Sequence, residues 1–171
     1  DYKRFCKQHP GHPCRLLFVA HREEILKQSL YTFRAVLKDA NFGELFVGNY
    51  KPESIDNLFL SIQTFNSQSF TEKTRPDFYD YIIVDGSPQA TEIATATIRA
   101  SDFILIPMQP SPFDVWASSN LIDLVKQGMT ANRNLRVGIV LTRLVKNTKI
   151  GNEVSQIIHD FELPVLNSTI G

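Results

Sequence analysis

Nowhere in the 171 residues does a G-x-x-x-x-G-K-[ST] segment occur. The chain therefore lacks the nest of backbone N–H groups and the lysine that commonly cradle nucleotide phosphates. The nearest approach runs from Gly43 to Gly48, but Asn49-Tyr50-Lys51 follows it where Lys-Ser/Thr would be needed. Charge of one sign is missing too. The 18 Lys and Arg balance 18 Asp and Glu, which excludes a global basic field, so any DNA contact needs a local patch. Two cysteines exclude a disulfide framework and fit a reducing compartment. Asp1-Tyr2-Lys3-Arg4 has no apolar leader character, and apolar runs such as 103–106 are far too short to span a bilayer. The expectation is a cytoplasmic protein with no membrane partner. There is no internal repeat, low-complexity run or long linker. No Ser/His/Asp or Cys/His nucleophile arrangement can be read, so no catalytic residue is assigned.

What is present alternates strand and helix signals. With 43% hydrophobic residues the chain can bury one substantial core, and its length favours a single α/β domain over 1–171. Tyr2–Gln8 reads as a helix tail broken by His9-Pro10-Gly11-His12-Pro13. Leu16–Ala20 is a fully apolar strand, and Glu23–Leu37 carries Ile25, Leu26, Leu30, Phe33 and Leu37 on one helical face. Strands are expected at 44–48, 58–64 and 81–85, with a polar loop over 66–76 that has room for one helical turn. Beyond them come a small-residue helix at 91–100, a strand at 103–108 and a rigid Gln109-Pro110-Ser111-Pro112 loop. Asp114 is the expected N-cap of a helix from 115 to about 129. Strands at 137–142 and 165–168 flank a helix at 151–161. Roughly seven strands separated by helices predict a doubly wound, mostly parallel sheet with helices on both faces.

The line Tyr79-Asp80-Tyr81-Ile82-Ile83-Val84-Asp85-Gly86-Ser87-Pro88 carries the most information. It reads as a buried parallel strand with a carboxylate at its C-terminal end, where open α/β sheets place ligands. By position alone, Asp85 either caps a turn or holds a metal. The strand resembles the Walker B element of P-loop NTPases, whose Asp helps hold Mg²⁺, which implies Asp85 as metal and cofactor ligand.

Residues 1–85 resemble the first motor domain of a superfamily 2 helicase of the DEAD/DEAH-like type. The resemblance rests on Leu16 to Ala20 with His21-Arg22-Glu23-Glu24-Ile25-Leu26, on Phe42 to Gly48, and on Ser61-Ile62-Gln63-Thr64-Phe65. It implies that His21, Arg22 and Gln63 touch a nucleic-acid backbone, since a cation and an amide at strand ends bind phosphate without reading bases. Read as residues only, His21-Arg22 equally starts a helix and Gln63 caps a strand. Residues 86–171 together with the Asp85 strand resemble a ParA-type plasmid-partition ATPase. That resemblance rests on Ser101-Asp102 and Phe103 to Met108, then Gln109-Pro110-Ser111-Pro112-Phe113-Asp114-Val115-Trp116-Ala117, Val140-Leu141-Thr142-Arg143 and Pro164 to Ile170. It implies Thr142 and Arg143 near a nucleotide base. Phe113 and Trp116 themselves read as core anchors.

Both resemblances come with departures. Gly86-Ser87-Pro88 stands where a helicase would place the Glu that orients attacking water, and the Lys-Gly-Gly-x-Gly-Lys-Thr loop of a ParA ATPase is absent. The expectation is thus a fused domain, helicase-like then ParA-like, without ATPase activity on its own. No cofactor is expected, with ATP and Mg²⁺ relevant if nucleotide binding is retained. Two alternatives stand beside it: a partition or helicase-type ATPase completed by another segment or partner, and a non-catalytic module binding DNA non-specifically. A sheet edge left open would favour a homo-oligomer. Two smaller clusters remain. Cys6, His9, His12 and Cys14 suit zinc by ligand type but match no common zinc spacing. Arg143, Lys146 and Lys149 form a basic loop, either a DNA-backbone contact or a solvated surface.

Overall fold

A computed structural model describes residues 1–86, 92–143, 158 and 161–170. The chain divides into two compact units, Asp1–Gly86 and Ser87–Gly171.

The first unit is a parallel four-stranded sheet with helices on both faces. Its elements are α1 (Tyr2–Gln8), β1 (Leu16–Ala20), α2 (Glu23–Leu37), β2 (Glu44–Phe46), β3 (Asn57–Ser61), α3 (Ile62–Ser67), α4 (Phe70–Lys73) and β4 (Tyr81–Val84), with strand order β2-β3-β1-β4. β1 lies between β3 and β4 with Leu17 opposite Leu58 and Ile82, and all five of its side chains are buried. That is why it is apolar without alternation: a parallel strand covered on both faces has no wet side. Period two sends Leu16, Phe18 and Ala20 to one face, where Tyr2, Leu26, Leu30 and Phe59 join them. Leu17 and Val19 point the other way, with Leu58, Leu60 and Phe70.

Local chemistry sets the joints. The Tyr2 hydroxyl donates to the Cys14 carbonyl at 2.6 Å while its ring packs on Phe33, Phe42 and Tyr81, which ties α1 to the sheet. α2 ends at Lys38 in the left-handed region, and Arg34 donates to the Phe42 and Gly43 carbonyls, both at 2.8 Å. Gly43 itself has φ +66°, and a Cβ there would lie 2.9 Å from Phe59 Cε2. At the amino edge of the sheet Asp80 accepts from His12 Nε2 at 2.7 Å and from the Arg15 backbone N–H at 2.8 Å. The Arg15 side chain donates to Asp56 at 2.9 Å and lies over the Phe78 ring.

The second unit carries α5 (Glu92–Ala100), β5 (Phe103–Met108), α6 (Pro112–Ala131), β6 (Arg136–Thr142) and β7 (Val165–Ile170), with parallel order β5-β6-β7. Ile98, Ile106, Met108, Ile122, Val125, Val137, Ile139 and Leu141 build its core. Gly128 of α6 faces Ile98 of α5 so closely that a Cβ would run into Ile98 Cγ2.

The parallel α/β class agrees with expectation, but in place of one sheet of about seven strands the strands among the described residues pair into two sheets of four and three. Several expectations are corrected. The 58–64 segment stays extended only to Ser61, whose hydroxyl accepts the Thr64 backbone N–H at 3.1 Å and starts α3. The helical turn expected within the 66–76 loop is α4, while α3 ends inside that segment where no helix was expected to enter. α6 begins at Pro112, because proline at a first helical position needs no N–H partner; Asp114 lies in the first turn and Ser111 is at the cap position. Phe113 and Trp116 are not core anchors: they are 81% and 80% exposed, one turn apart on that helix. β4 is a sheet edge rather than a buried strand, with Ile82 and Val84 open to solvent beside the half-buried Tyr81 and Ile83. The 151–161 helix lies outside the described residues except for Ile158 and Phe161. No helix among the described residues is long and apolar enough to cross a membrane.

Candidate functional site

Parallel strands put all their C-terminal ends on one side, so the carboxyl edge of the first sheet collects the residues that follow each strand. In spatial order these are Gly48 to Tyr50 after β2, Gln63 after β3, His21 after β1 and Asp85 after β4. His21 occupies the single position between β1 and Arg22, the N-cap residue of α2. Gln63 sits in the first turn of α3, held there by the buried Ser61 cap. The two meet: Gln63 Nε2 donates to His21 Nδ1 at 3.0 Å. With the amide nitrogen as donor, His21 Nδ1 is the acceptor of this bond. Arg22 is exposed beside them.

Asp85 follows the last residue of β4, and its backbone N–H still donates to the Val19 carbonyl at 2.8 Å. The ladder therefore fixes its Cα while the carboxylate is exposed. A Mg²⁺ ion that keeps several waters needs only one or two carboxylates, so Asp85 fits as a single magnesium ligand. No group of three His, Cys, Asp or Glu able to hold a metal exists among the described residues. The phosphates of a nucleotide are a different matter. The Gly43 to Gly48 stretch contains β2, whose residues pair with Leu58, Phe59 and Leu60 of β3. A strand turns alternate N–H groups to opposite sides, so this segment forms no phosphate nest.

Sequence reasoning missed one arrangement on this edge. Gly48, at φ +56°, turns the chain after β2, and the Tyr50 N–H donates to the Val47 carbonyl at 3.0 Å. The Tyr50 ring then lies under Lys27 Nζ, 4.9 Å from its centroid, and Lys27 is paired with Glu23 at 2.6 Å. Glu23, and after it the Tyr50 hydroxyl, hold the Lys27 ammonium above the ordinary lysine value. The Glu–Lys spacing of four on a helix was a readable signal; the tyrosine from a distant loop was not.

The remaining candidate residues of the second half belong to the second unit. Thr142 ends β6 half-buried, and Arg143 follows it exposed at φ +54°, both in the second unit. Lys146 and Lys149 lie outside the described residues, as do Ser87 and Pro88. The cysteine–histidine cluster does not converge on a metal: His12 turns to Asp80, His9 Nδ1 donates to the Phe5 carbonyl at 2.9 Å, and Cys14 is buried. Burial, then a hydrogen bond donated to Cys6, pushes the Cys14 thiol up.

With this geometry in hand, comparisons with known proteins separate fold from family. The chain is 29% identical over 93 residues to the Maintenance of carboxysome distribution protein A of Halothiobacillus neapolitanus, covering 54% of this chain and 43% of that protein. It is 33% identical over 86 residues to the Chromosome partitioning protein ParA of Myxococcus xanthus, covering 48% and 30%. The chain thus spans less than half the length of these curated relatives. Among solved structures, cobyrinic acid a,c-diamide synthase from Mycobacterium smegmatis aligns over 96% of this chain and 76% of its own at 15% identity, with a TM-score of 0.58. That likeness identifies the fold as P-loop-NTPase-like. The family described as "Type III restriction enzyme, res subunit" matches residues 2–98. This match takes in the whole carboxyl edge of the first sheet and more than half of the chain, which belongs to that family.

Proposed function

We propose that the chain is a fused α/β domain, helicase-like over 1–85 and ParA-like over 86–171, that displays the ligand edge of an NTPase fold without hydrolysing ATP by itself. The observation that carries this reading is the contrast along one sheet edge. Asp85 stands exposed where a magnesium ligand would be useful, while the one G-x-x-x-x-G stretch is committed to β2. Without a nest and its lysine, phosphate oxygens would gain too little to offset their lost hydration. The division at Gly86 and Ser87 supports the two-part description. Thr142 and Arg143 remain the proposed base-side contacts if nucleotide binding is retained. A partition or helicase-type ATPase would need its phosphate loop from another segment or chain. The edge strand β4 is the proposed place for a homo-oligomer to form.

Calorimetric titration with Mg-ATP tests this. The expected outcome is no sub-millimolar binding; such binding, abolished by Asp85→Ala, would sink the inactive reading. A second reading is favoured by the His21–Gln63 hydrogen bond, which holds two polar side chains together beside Arg22. In that reading the edge binds a single-stranded nucleic-acid backbone, with an affinity that falls steeply as salt rises.

A further inference from the structure

Backbone contacts alone leave without a role the exposed aromatic ring on the same edge. Tyr50 is 46% exposed, and its ring is contacted from one side. Its backbone is fixed by the Val47 turn, and one ring face is covered by Lys27, itself pinned by Glu23. The other face has no ring contact among the described residues. A ring ordered before binding loses little freedom when a flat partner settles on it, so stacking there is less costly than on a mobile side chain. The ammonium on the far face is balanced by Glu23 at 2.6 Å, so what this position adds to the edge is a flat ring rather than a net charge. β2, β3 and β1 are adjacent, so the Tyr50 loop and His21 are separated by about two interstrand spacings, roughly 10 Å. A chain of flat bases on a phosphate backbone has the chemistry that fits both ends of that span.

We propose that Tyr50, backed by Lys27, is a base-stacking platform for single-stranded nucleic acid on the carboxyl edge of the first sheet. This rests on the nucleic-acid reading above and deepens it, because it adds base contact to what would otherwise be backbone contact only. Stacking is tolerant of sequence, since every base offers a flat face. It makes the site sensitive to whether bases are present at all. That sets it apart from the His21, Arg22 and Gln63 contacts, which would treat a backbone with and without bases alike.

The test is fluorescence anisotropy of the full chain with two labelled probes of equal length, an oligothymidylate and its abasic counterpart. Wild type is expected to bind the oligothymidylate about ten-fold more tightly than the abasic strand. Tyr50→Ala removes that preference and leaves abasic binding unchanged, and Tyr50→Phe keeps it. Tyr31→Ala, which removes an exposed tyrosine further along α2, also keeps it. If wild type binds both probes equally and Tyr50→Ala changes nothing, the backbone reading stands and the stacking platform is refuted. If neither probe is bound, the nucleic-acid reading fails and takes the platform with it. Circular dichroism of the Tyr50 variants should match wild type, since the side chain packs in no core cluster.

Discussion

Replacing Asp80 by Ala tests how β4, and with it Asp85, is kept in register. Asp80 sits one residue before β4 and its two carboxylate oxygens have separate tasks: one accepts from His12 Nε2 at 2.7 Å, the other from the Arg15 backbone N–H at 2.8 Å. Alanine leaves that part-buried N–H without its charged acceptor, at a cost of about 1–3 kcal/mol. The His12 pair adds at most about 1 kcal/mol, because the His12 side chain is half exposed and solvent screens it. A total near 2 kcal/mol corresponds to roughly thirty-fold faster opening, since each 1.4 kcal/mol is ten-fold. Hydrogen exchange on peptides covering Tyr81–Val84 reads this within the first unit, without requiring both units to unfold together. Asp80→Asn, which keeps an acceptor for the Arg15 N–H, should lose less.

The pH dependence has a definite sign. The His12 hydrogen bond lowers the Asp80 carboxyl below the ordinary carboxylate value; burial opposes this, and the Arg15 N–H adds to it. A depressed folded value means that the stabilisation is present above the unfolded value, near pH 4, and is lost as pH falls through the folded one. The gap between wild type and Asp80→Ala, compared at equal pH, is therefore full at pH 7 and shrinks below about pH 4. Equal exchange rates at pH 7, or a gap that persists unchanged at pH 2, would refute the reasoning.

Two glycines give simpler tests. Gly43→Ala must place a Cβ 2.9 Å from Phe59 Cε2 at a backbone angle that side chains avoid, and should cost about 1–3 kcal/mol by urea unfolding. No loss would mean that the turn before β2 relaxes freely. Gly128→Ala gains up to about 1 kcal/mol of helix propensity but drives a methyl into Ile98, an overpacking worth about 1–3 kcal/mol, so net destabilisation is expected. Combining it with Ile98→Ala should cost less than the sum of the two single changes, and strict additivity would argue against the contact.

Which parts of the fold could be read from sequence follows from the range of the forces involved. β1 was readable because Leu16 to Ala20 is apolar at every position, a pattern that only burial on both faces tolerates. α2 was readable because Leu26 and Leu30 repeat at helical spacing. Gln63 was misplaced for an equally local reason. Ser61 to Thr64 reads as a continuing strand until the Ser61 hydroxyl captures the Thr64 N–H, and a single hydrogen bond then switches the backbone to helix. Proline 112 misled in the opposite sense, since the residue that stops a helix inside also suits its first turn.

The sequence by itself determined the alternation of strands and helices, the parallel α/β class, and the presence of Asp85 and His21 at strand ends, because periodicity and turn chemistry act within a few residues. It also determined that no G-x-x-x-x-G-K-[ST] segment occurs in these 171 residues. Tertiary structure alone decided which strand ends are neighbours. Only the β2-β3-β1-β4 order joins Gln63 to His21 and leaves Ile82 and Val84 on an open edge. Only the folded loop after β2 carries Tyr50 under Lys27. Those contacts join residues 23 to 42 positions apart, and pairing across such separations is set by the packing of whole elements, to which no local pattern of side chains gives access.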